Sequence, residues 1–435
     1  MSRFFFILLL VLAAIVRGPL SLLLIVIKNI HPKLKERFDF ERKNFLEIDN
    51  VCRSNKLDNL VADYCFEVSS EGELEQVRPL IEFFIKKNKR VEILFASPSV
   101  ESKCLKMARD HQDLIRVLRL PIVTHFFLFQ TASKWMSAKK LIFCRYDFFP
   151  ELLILKFFGV KFILVSAAGK NPSWFKSEVY RLFNVIIAAN KKEEQYFQTH
   201  FKKAKVNQFD FRIPRIFERI GKSQQTLEAI NSLTSYLDFL RLRPKNSNFI
   251  MGSAWESDFG ILKSNEWRGV LASGEVHLLI VPHDLRPKSI EQMKKHLWDL
   301  FKGIPVYEIT RMGSDFDPAI PGIVLLNLSG VLCELYTMFE CSYVGGGYAR
   351  SIHSVLEPYL AGCRVFIGPS IHRSTEYDFI AEISPNEIHL LNNPDSFYNL
   401  FNLNRMIPPD LSARQCQRLL ASEKKEQIIK EIETC

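Results

Sequence analysis

Three carboxylates and one glycine run stand where an open α/β sheet does its chemistry. Residues 61–85, VADYCFEVSSEGELEQVRPLIEFFI, read as a buried strand, a turn of small residues Ser69-Ser70-Glu71-Gly72, and a helix opening at Glu73. Such sheets bind ligands outside the carboxyl ends of their strands. Glu73 is therefore placed to act as a general base, or else only as a first-turn acid facing the helix dipole. Asp147 follows the apolar run KLIFCRY and falls near Glu73 if the two strands are neighbours; the competing role is a helix N-cap before Pro150. Two close carboxylates raise one pKa or need a cation between them.

The second half of the chain carries a more specific pattern. Val344-Gly345-Gly346-Gly347 closes an apolar run, and His353-Ser354-Val355-Leu356-Glu357-Pro358 opens a helix six residues on. Glycine lets backbone approach a phosphate, and a helix start offers N–H groups and positive partial charge to it. Glu357, one turn in, can accept both hydroxyls of a ribose, with Ser354 three residues before it. A tight turn and a solvated acid are the competing readings. Four further strand ends add polar groups: Gly252-Ser253, Pro282-His283-Asp284, Ser329-Gly330-Val331 and Gly368-Pro369. Together they predict one rim for a nucleotide. No acid-rich metal clamp is evident, so no metal is expected.

The elements that must position these groups alternate regularly. Strands are expected at 61–68, 91–96, 116–120, 140–146, 161–166, 184–189 and 205–211, with helices such as 99–111, 150–158 and 191–201 between them. Continuous apolar strands joined by helices predict a doubly wound parallel sheet. The helix after Glu73 carries the stripe Leu74, Val77, Leu80, Ile81, Phe84 and Ile85, with Pro79 expected to kink it. The alternation pauses over 213–245 and restarts with runs at 248–252, 276–282, 304–309, 323–327, 341–346 and 364–368. The expected fold is α/β of the GT-B type: two Rossmann-like doubly wound domains facing a cleft, with an N-terminal membrane anchor. Its boundaries are an anchor at 1–30, an acceptor domain at 31–215, a linker at 216–245, a nucleotide-sugar domain at 246–410 and a terminal helix at 411–435. Epimerases and periplasmic-type binding proteins share such an outline, so fold alone does not decide function.

Bulk properties agree with two folded domains. At 435 residues the chain is too long for one core. The net charge is +10, and residues 1–43 hold eight Lys or Arg against three acids. That collar follows thirteen unbroken apolar residues at 4–16, then Arg17-Gly18-Pro19, then a second apolar run at 20–27. A cleaved signal, a single anchor and a shallow interfacial insertion all suit this pattern, and an anchor on an anionic membrane surface is favoured. No nucleic-acid motif is present. The nine cysteines form no CxxC pair, which predicts reduced thiols rather than a zinc site or disulfide framework.

With these positions in place the sequence resembles the Kdo transferases, membrane-associated GT-B enzymes that move 3-deoxy-D-manno-octulosonic acid from CMP-Kdo to a lipid A precursor. Their S-V-G-E turn corresponds to Ser70-Glu71-Gly72-Glu73, and their E-T-E-x-W-P stretch to residues 145–150 with Asp147 as the second acid. Their G-G-H-N-x-L-E-P corresponds to residues 351–358, with V-G-G at 344–346, G-P at 368–369 and the M-G-E-L turn at 329–332. The resemblance implies that Glu73 is the catalytic base, with Asp147 beside it. It implies that Ser253, His283, Ser329, Gly330, Val331, Gly346, Ser354 and Glu357 hold the nucleotide sugar, and that Ser70, Gly72 and Arg212 lie on the acceptor side. Departures are Ser354 for Asn, Ile352 for Gly, His283 for Arg, Trp255 for His, and Ala168 for Arg; G-N-x-K becomes 209–212, keeping only its charge at Arg212. The implied reaction is inverting, metal-independent Kdo transfer with no cofactor beyond the CMP-Kdo donor, at the cytoplasmic face of the cell inner membrane. The implied partners are a lipid A precursor as acceptor and an anionic membrane surface, with no nucleic acid. The alternatives are a membrane-lipid transferase using a different nucleotide sugar, and a catalytically weak lipid A-binding scaffold.

Overall fold

The structure is a computed structural model, and it describes residues 3–44, 61–120, 135–145, 148–169, 172–349, 351–372 and 374–435. The chain divides into two compact units, Met1–Arg212 with Lys424–Cys435, and Ile213–Glu423.

In the first unit, seven strands are β1 (Tyr64–Val68), β2 (Val91–Phe95), β3 (Ile115–Arg119), β4 (Lys140–Cys144), β5 (Lys161–Ala167), β6 (Val185–Ala188) and β7 (Lys205–Gln208). They lie in the order β3-β2-β1-β4-β5-β6-β7, each neighbouring pair parallel. Successive side chains enter opposite faces. Phe66 and Val68 join one apolar cluster, whereas Cys65 joins another with Leu94, Leu141 and Phe143. Burial on both faces is why the inner strands read as apolar runs, whereas the edge strand β7, KVNQ, has no buried residue. The helix Glu71–Lys86 is continuous through Pro79 and buries Leu74, Val77, Leu80, Ile81 and Phe84. Each of those side chains contributes about 1.5–3 kcal/mol, enough to hold the helix despite the N–H that proline lacks.

The second unit repeats the plan with β8 (Asn248–Ala254), β9 (His277–Pro282), β10 (Val306–Thr310), β11 (Ile323–Asn327), β12 (Cys341–Val344), β13 (Arg364–Ile367) and β14 (Ile388–Leu390). The order is β10-β11-β9-β8-β12-β13-β14, again parallel throughout. Residues read as a connection belong to this unit's core. Leu233, Tyr236, Leu237 and Leu240 pack with Ile250 and Leu279.

In each sheet the strand order reverses beside the first strand of the unit; the second sheet also exchanges β10 and β11 at its edge. That reversal lies between β1 and β4 in the first and between β8 and β12 in the second, and it opens a crevice at their carboxyl ends.

The membrane anchor expected over 1–30 is not upheld. Among the described residues no helix is long and apolar enough to cross a membrane. The helix Arg3–Ile27 contains Pro19, with Arg17 two residues before it in the sequence. The two apolar runs on either side fall short of the roughly 20 continuous apolar residues that a span needs. The placement in the cell inner membrane, at its cytoplasmic face, falls with the anchor on which it rested.

Candidate functional site

At the first unit's switch point, Ser70 caps the helix Glu71–Lys86, its Oγ accepting from the Glu73 N–H at 3.3 Å. The Glu73 carboxylate reaches back, Oε2 accepting from the Ser69 N–H at 2.6 Å. This reciprocal arrangement closely resembles a capping box. Glu73 is buried, at 3% exposure. It therefore fastens its own helix start, whatever chemistry it also performs.

A second acid stands beside it. Glu67, in β1, is fully buried and accepts from the Ser69 hydroxyl at 2.6 Å. Ser69 thus joins two carboxylates, through its N–H and its O–H. On the neighbouring strand, the Cys144 thiol lies 3.8 Å from the Glu73 carbonyl oxygen and 3.6 Å from Gln76 Oε1. Burial pushes that thiol up, with Glu73 and Glu67 adding to the effect and Arg145 and Arg212 opposing it. Arg145 donates from Nε to Gln76 Oε1 at 3.2 Å and holds a left-handed backbone, φ 64°. Ser166, next to last in β5, is similarly strained at φ 54°. Such conformations gather at functional sites.

Asp147 lies outside the described residues, although β1 and β4 are neighbours as its role required. Ser70, the N-cap, and Gly72, in the first turn of the helix, are both exposed. Arg212 is held by Asp210, Nε to Oδ1 at 2.9 Å and Nη2 to Oδ2 at 2.5 Å.

In the second unit the glycine run serves close backbone packing. A Cβ on Gly345 would lie 2.2 Å from the Ser253 carbonyl oxygen, and one on Gly347 would lie 2.6 Å from Gly368. Gly346, at φ +93°, gives its N–H to Asp258 at 3.0 Å. Asp258 is fully buried and also accepts from the Tyr343 hydroxyl and the Trp255 N–H, each at 2.9 Å. Burial raises its pKa against those hydrogen bonds. One carboxylate thus ties the loop after β8 to β12 and its glycine turn, across the crevice. Ser253, next to last in β8, has a left-handed backbone at φ 52°.

Three rings from separate segments meet at this rim. His283 stacks on His353, centroids 4.0 Å apart, and on Trp255 at 4.7 Å. The Trp255 indole N–H donates to His353 Nε2 at 3.0 Å. An indole only donates, so that imidazole must be neutral, with its proton on Nδ1. Burial, with His283 beside it, pushes the His353 pKa down to about 4.

That depressed value makes the stack acid-sensitive. Above the ordinary histidine value near ~6.5, folded and unfolded chains both carry neutral His353. As pH falls toward about 4 the unfolded chain takes up the proton first, and stability is lost across that window. Protonation of folded His353 removes the acceptor from Trp255. Fluorescence assigned to Trp255, by difference from Trp255→Phe, is therefore expected to titrate with a midpoint near 4. A midpoint at the ordinary histidine value would show that the Trp255–His353 bond is not formed in solution.

The remaining rim residues are less alike. Ser329 and Gly330 form an exposed turn, Gly330 at φ +84°, while Val331 is buried in the core. The Ser354 hydroxyl donates to Glu376 at 2.9 Å, and the same carboxylate oxygen accepts from the N–H groups of Val355 and Leu356 at 2.9 and 3.0 Å. The helix start offered to a phosphate by the sequence thus already holds a carboxylate. Glu357 is partly exposed and pairs with Arg219 at 3.2 Å.

Sequence reasoning missed Glu67, Asp258, Arg219, Glu334 and Glu376. Glu67 and Asp258 carried a signal, each being an acid at the carboxyl end of a strand or just after it. Arg219 carried none, lying in a polar stretch read as a connection. Among the described residues no group of His, Cys, Asp and Glu could hold a metal ion, and every described cysteine is a thiol.

No protein-family model and no curated protein matches the sequence. Solved structures do. A glycosyltransferase from Rickettsia africae is 12% identical, with a TM-score of 0.54 over 86% of this chain and 99% of its own. The UDP-GlcNAc 2-epimerase of Neisseria meningitidis, solved with UDP-GlcNAc, is 10% identical, with a TM-score of 0.55 over 82% and 94%. The fold is GT-B-like. At such identities the likeness extends to the fold, which transferases and epimerases share, and not to the reaction. The C-terminal CMP-Kdo binding domain of WaaA from Acinetobacter baumannii aligns with 48% of this chain and 97% of its own at 15% identity, but with a TM-score of 0.33. That is too weak a likeness to argue from.

Proposed function

We propose that this chain is a GT-B glycosyltransferase that takes a sugar from a nucleotide-sugar donor and passes it to a lipid acceptor. One observation carries the reading. Glu357 stands partly exposed on the first turn of its helix, beside the open Ser329-Gly330 turn and near the switch point of a parallel sheet, where a ribose can meet its carboxylate. Glu73 is the candidate base. In the reaction the acceptor hydroxyl oxygen bonds to the anomeric carbon and the proton passes to Glu73. The bond from that carbon to the phosphate oxygen breaks, and the nucleotide leaves with the electron pair.

The donor we favour is a nucleotide sugar other than CMP-Kdo. The Kdo transferase pattern has an Arg where this chain has His283, and here that residue is stacked in a ring cluster with His353 and Trp255. Burial lowers the pKa of both imidazoles, which disfavours a positive charge where that family keeps its Arg. CMP-Kdo remains the second reading, supported by Glu73 and Glu357 at the positions where that family keeps its base and its ribose carboxylate.

The test is a transfer assay on the full chain with CMP-Kdo and a panel of UDP- and GDP-sugars, a tetra-acylated lipid A precursor among the acceptors, and products weighed by mass spectrometry. Transfer from a UDP- or GDP-sugar alone would select the favoured donor, and transfer from CMP-Kdo would select the second. Epimerisation of UDP-GlcNAc without an acceptor would replace the transferase reading. Nucleotide binding by calorimetry with no turnover would point to a scaffold.

A further inference from the structure

The three rings at the rim of the second unit form a fixed aromatic surface that is only partly covered. Trp255 and His353 lie side by side. Their planes are 20° apart with centroids at 6.4 Å, too far for face contact, and the indole N–H joins them edge to edge through His353 Nε2 at 3.0 Å. His283 lies over the seam between them, its plane 16° from His353 and 30° from Trp255. An imidazole cannot cover an indole, and Trp255 stays 37% exposed. The backbone under each ring is also pinned. The Trp255 N–H donates to Asp258 Oδ2 at 2.9 Å, the His283 N–H to the Ala254 carbonyl oxygen at 3.0 Å, and the His353 N–H to the Gly345 carbonyl oxygen at 3.2 Å. A ligand that meets so fixed a surface orders little of it on binding. His283 is itself exposed, and neither of its ring nitrogens has a hydrogen-bond partner among the described residues. The surface thus offers an open part of an indole beside an imidazole edge that can both give and accept a hydrogen bond.

Strand order sets where this surface falls along a donor. The donor reading above puts the ribose beside the Ser329-Gly330 turn, which follows β11. β9 and β8 come next in the sheet, so Trp255, directly after β8, lies two strand spacings away, roughly 10 Å. A base is bonded directly to the ribose and stays near that turn. A diphosphate carries the sugar of a nucleotide sugar across such an interval.

We propose that Trp255 and His283 form the subsite for the transferred sugar, and that this subsite selects a neutral hexopyranose carried on a nucleoside diphosphate. The inference rests on the donor reading above. A pyranose presents a face of C–H groups, whose positive partial charge suits the negative face of an indole. Its rim carries hydroxyls, which the His283 edge can meet as donor or acceptor. Kdo differs in bearing a carboxylate on its anomeric carbon. The indole face repels that charge, and a histidine held below its ordinary pKa supplies less countercharge than an Arg would.

The experiment is calorimetric titration of the full chain with matched probes, UDP-glucose and UDP-GlcNAc against UDP, GDP-mannose against GDP, and CMP-Kdo beside them. For the pair that binds, Trp255→Ala is expected to weaken the nucleotide sugar about three- to tenfold, the effect of losing one ring contact, and the bare nucleotide by less than about twofold. His283→Ala is expected to act in the same direction and less strongly. A merely structural loss would weaken both members of a pair alike. Equal weakening of both, or of neither, in Trp255→Ala overturns the proposal. A wild type that binds CMP-Kdo and none of the other sugars also overturns it, and leaves the transferase reading standing. If Trp255→Ala does not fold, wild-type Trp255 fluorescence decides, taken by difference from Trp255→Phe: the nucleotide sugar must change it, and the bare nucleotide must not. A wild type that binds no nucleotide sugar at all would instead overturn the donor reading, and the subsite with it.

Discussion

Replacing Glu73 by Gln is expected to lower turnover by about 10²–10⁴-fold while leaving the fold intact. The amide oxygen can still accept from the Ser69 N–H that Glu73 Oε2 holds at 2.6 Å, so the reciprocal cap with Ser70 survives. What is lost is the ability to take a proton. Glu73→Ala differs: it removes that hydrogen bond as well, at on the order of 1–3 kcal/mol for a buried charge-assisted bond. Comparing the two separates the catalytic role from the capping role. The measurements are steady-state transfer and thermal melting on both variants. Undiminished turnover in Glu73→Gln would sink the base assignment and leave Glu73 as a helix cap.

Placing a methyl group on Gly345 is expected to cost about 3 kcal/mol, among the larger effects of a single small substitution. The new Cβ would meet the Ser253 carbonyl oxygen at 2.2 Å and the Ala254 Cα at 2.8 Å. Both are backbone, so neither can swing away. It would also press on Asp258 Oδ2 at 2.8 Å, the oxygen that accepts the Trp255 and Gly346 N–H groups. For a unit of this size the melting temperature should fall by about 6–12 °C. Gly72→Ala is the matched comparison. Nothing lies within 4 Å of its Cβ and its backbone is helical, so a neutral or slightly stabilising change is expected. Equal melting temperatures for wild type and Gly345→Ala would show that β8 and β12 are not joined as described.

The two expectations draw on different parts of what was legible beforehand. The Glu73 turn could be read locally, because a strand, a small-residue turn and a capped helix each depend on neighbours within a few positions. The same holds for the strand runs of both sheets except β14, Ile388–Leu390, a three-residue edge strand too short to leave a run. Buried parallel strands are apolar on both faces, and that pattern survives in the sequence unaltered. Helix starts near Glu73 and Glu357 followed for the same reason. Local apolarity misled at the N-terminus, where total hydrophobic length suggested an anchor. Arg17 and Pro19 divide that length into runs too short to span a membrane.

Tertiary structure alone decided which groups meet. Trp255, His283 and His353 lie far apart in sequence, and only the order β9-β8-β12 brings their loops to one rim. The glycine run looked like a phosphate cradle. Its N–H and its close approaches prove to be taken by Asp258, Ser253 and Gly368. The helix start after it holds Glu376, twenty residues downstream of Leu356. Arg219 joins Glu334 and Glu357 from more than a hundred residues away. The sequence by itself determined two doubly wound units and the strand ends at which their acids stand, because those depend on short-range pattern. Which hydrogen bonds those acids spend on the fold was decided by long-range strand order, which no local pattern encodes.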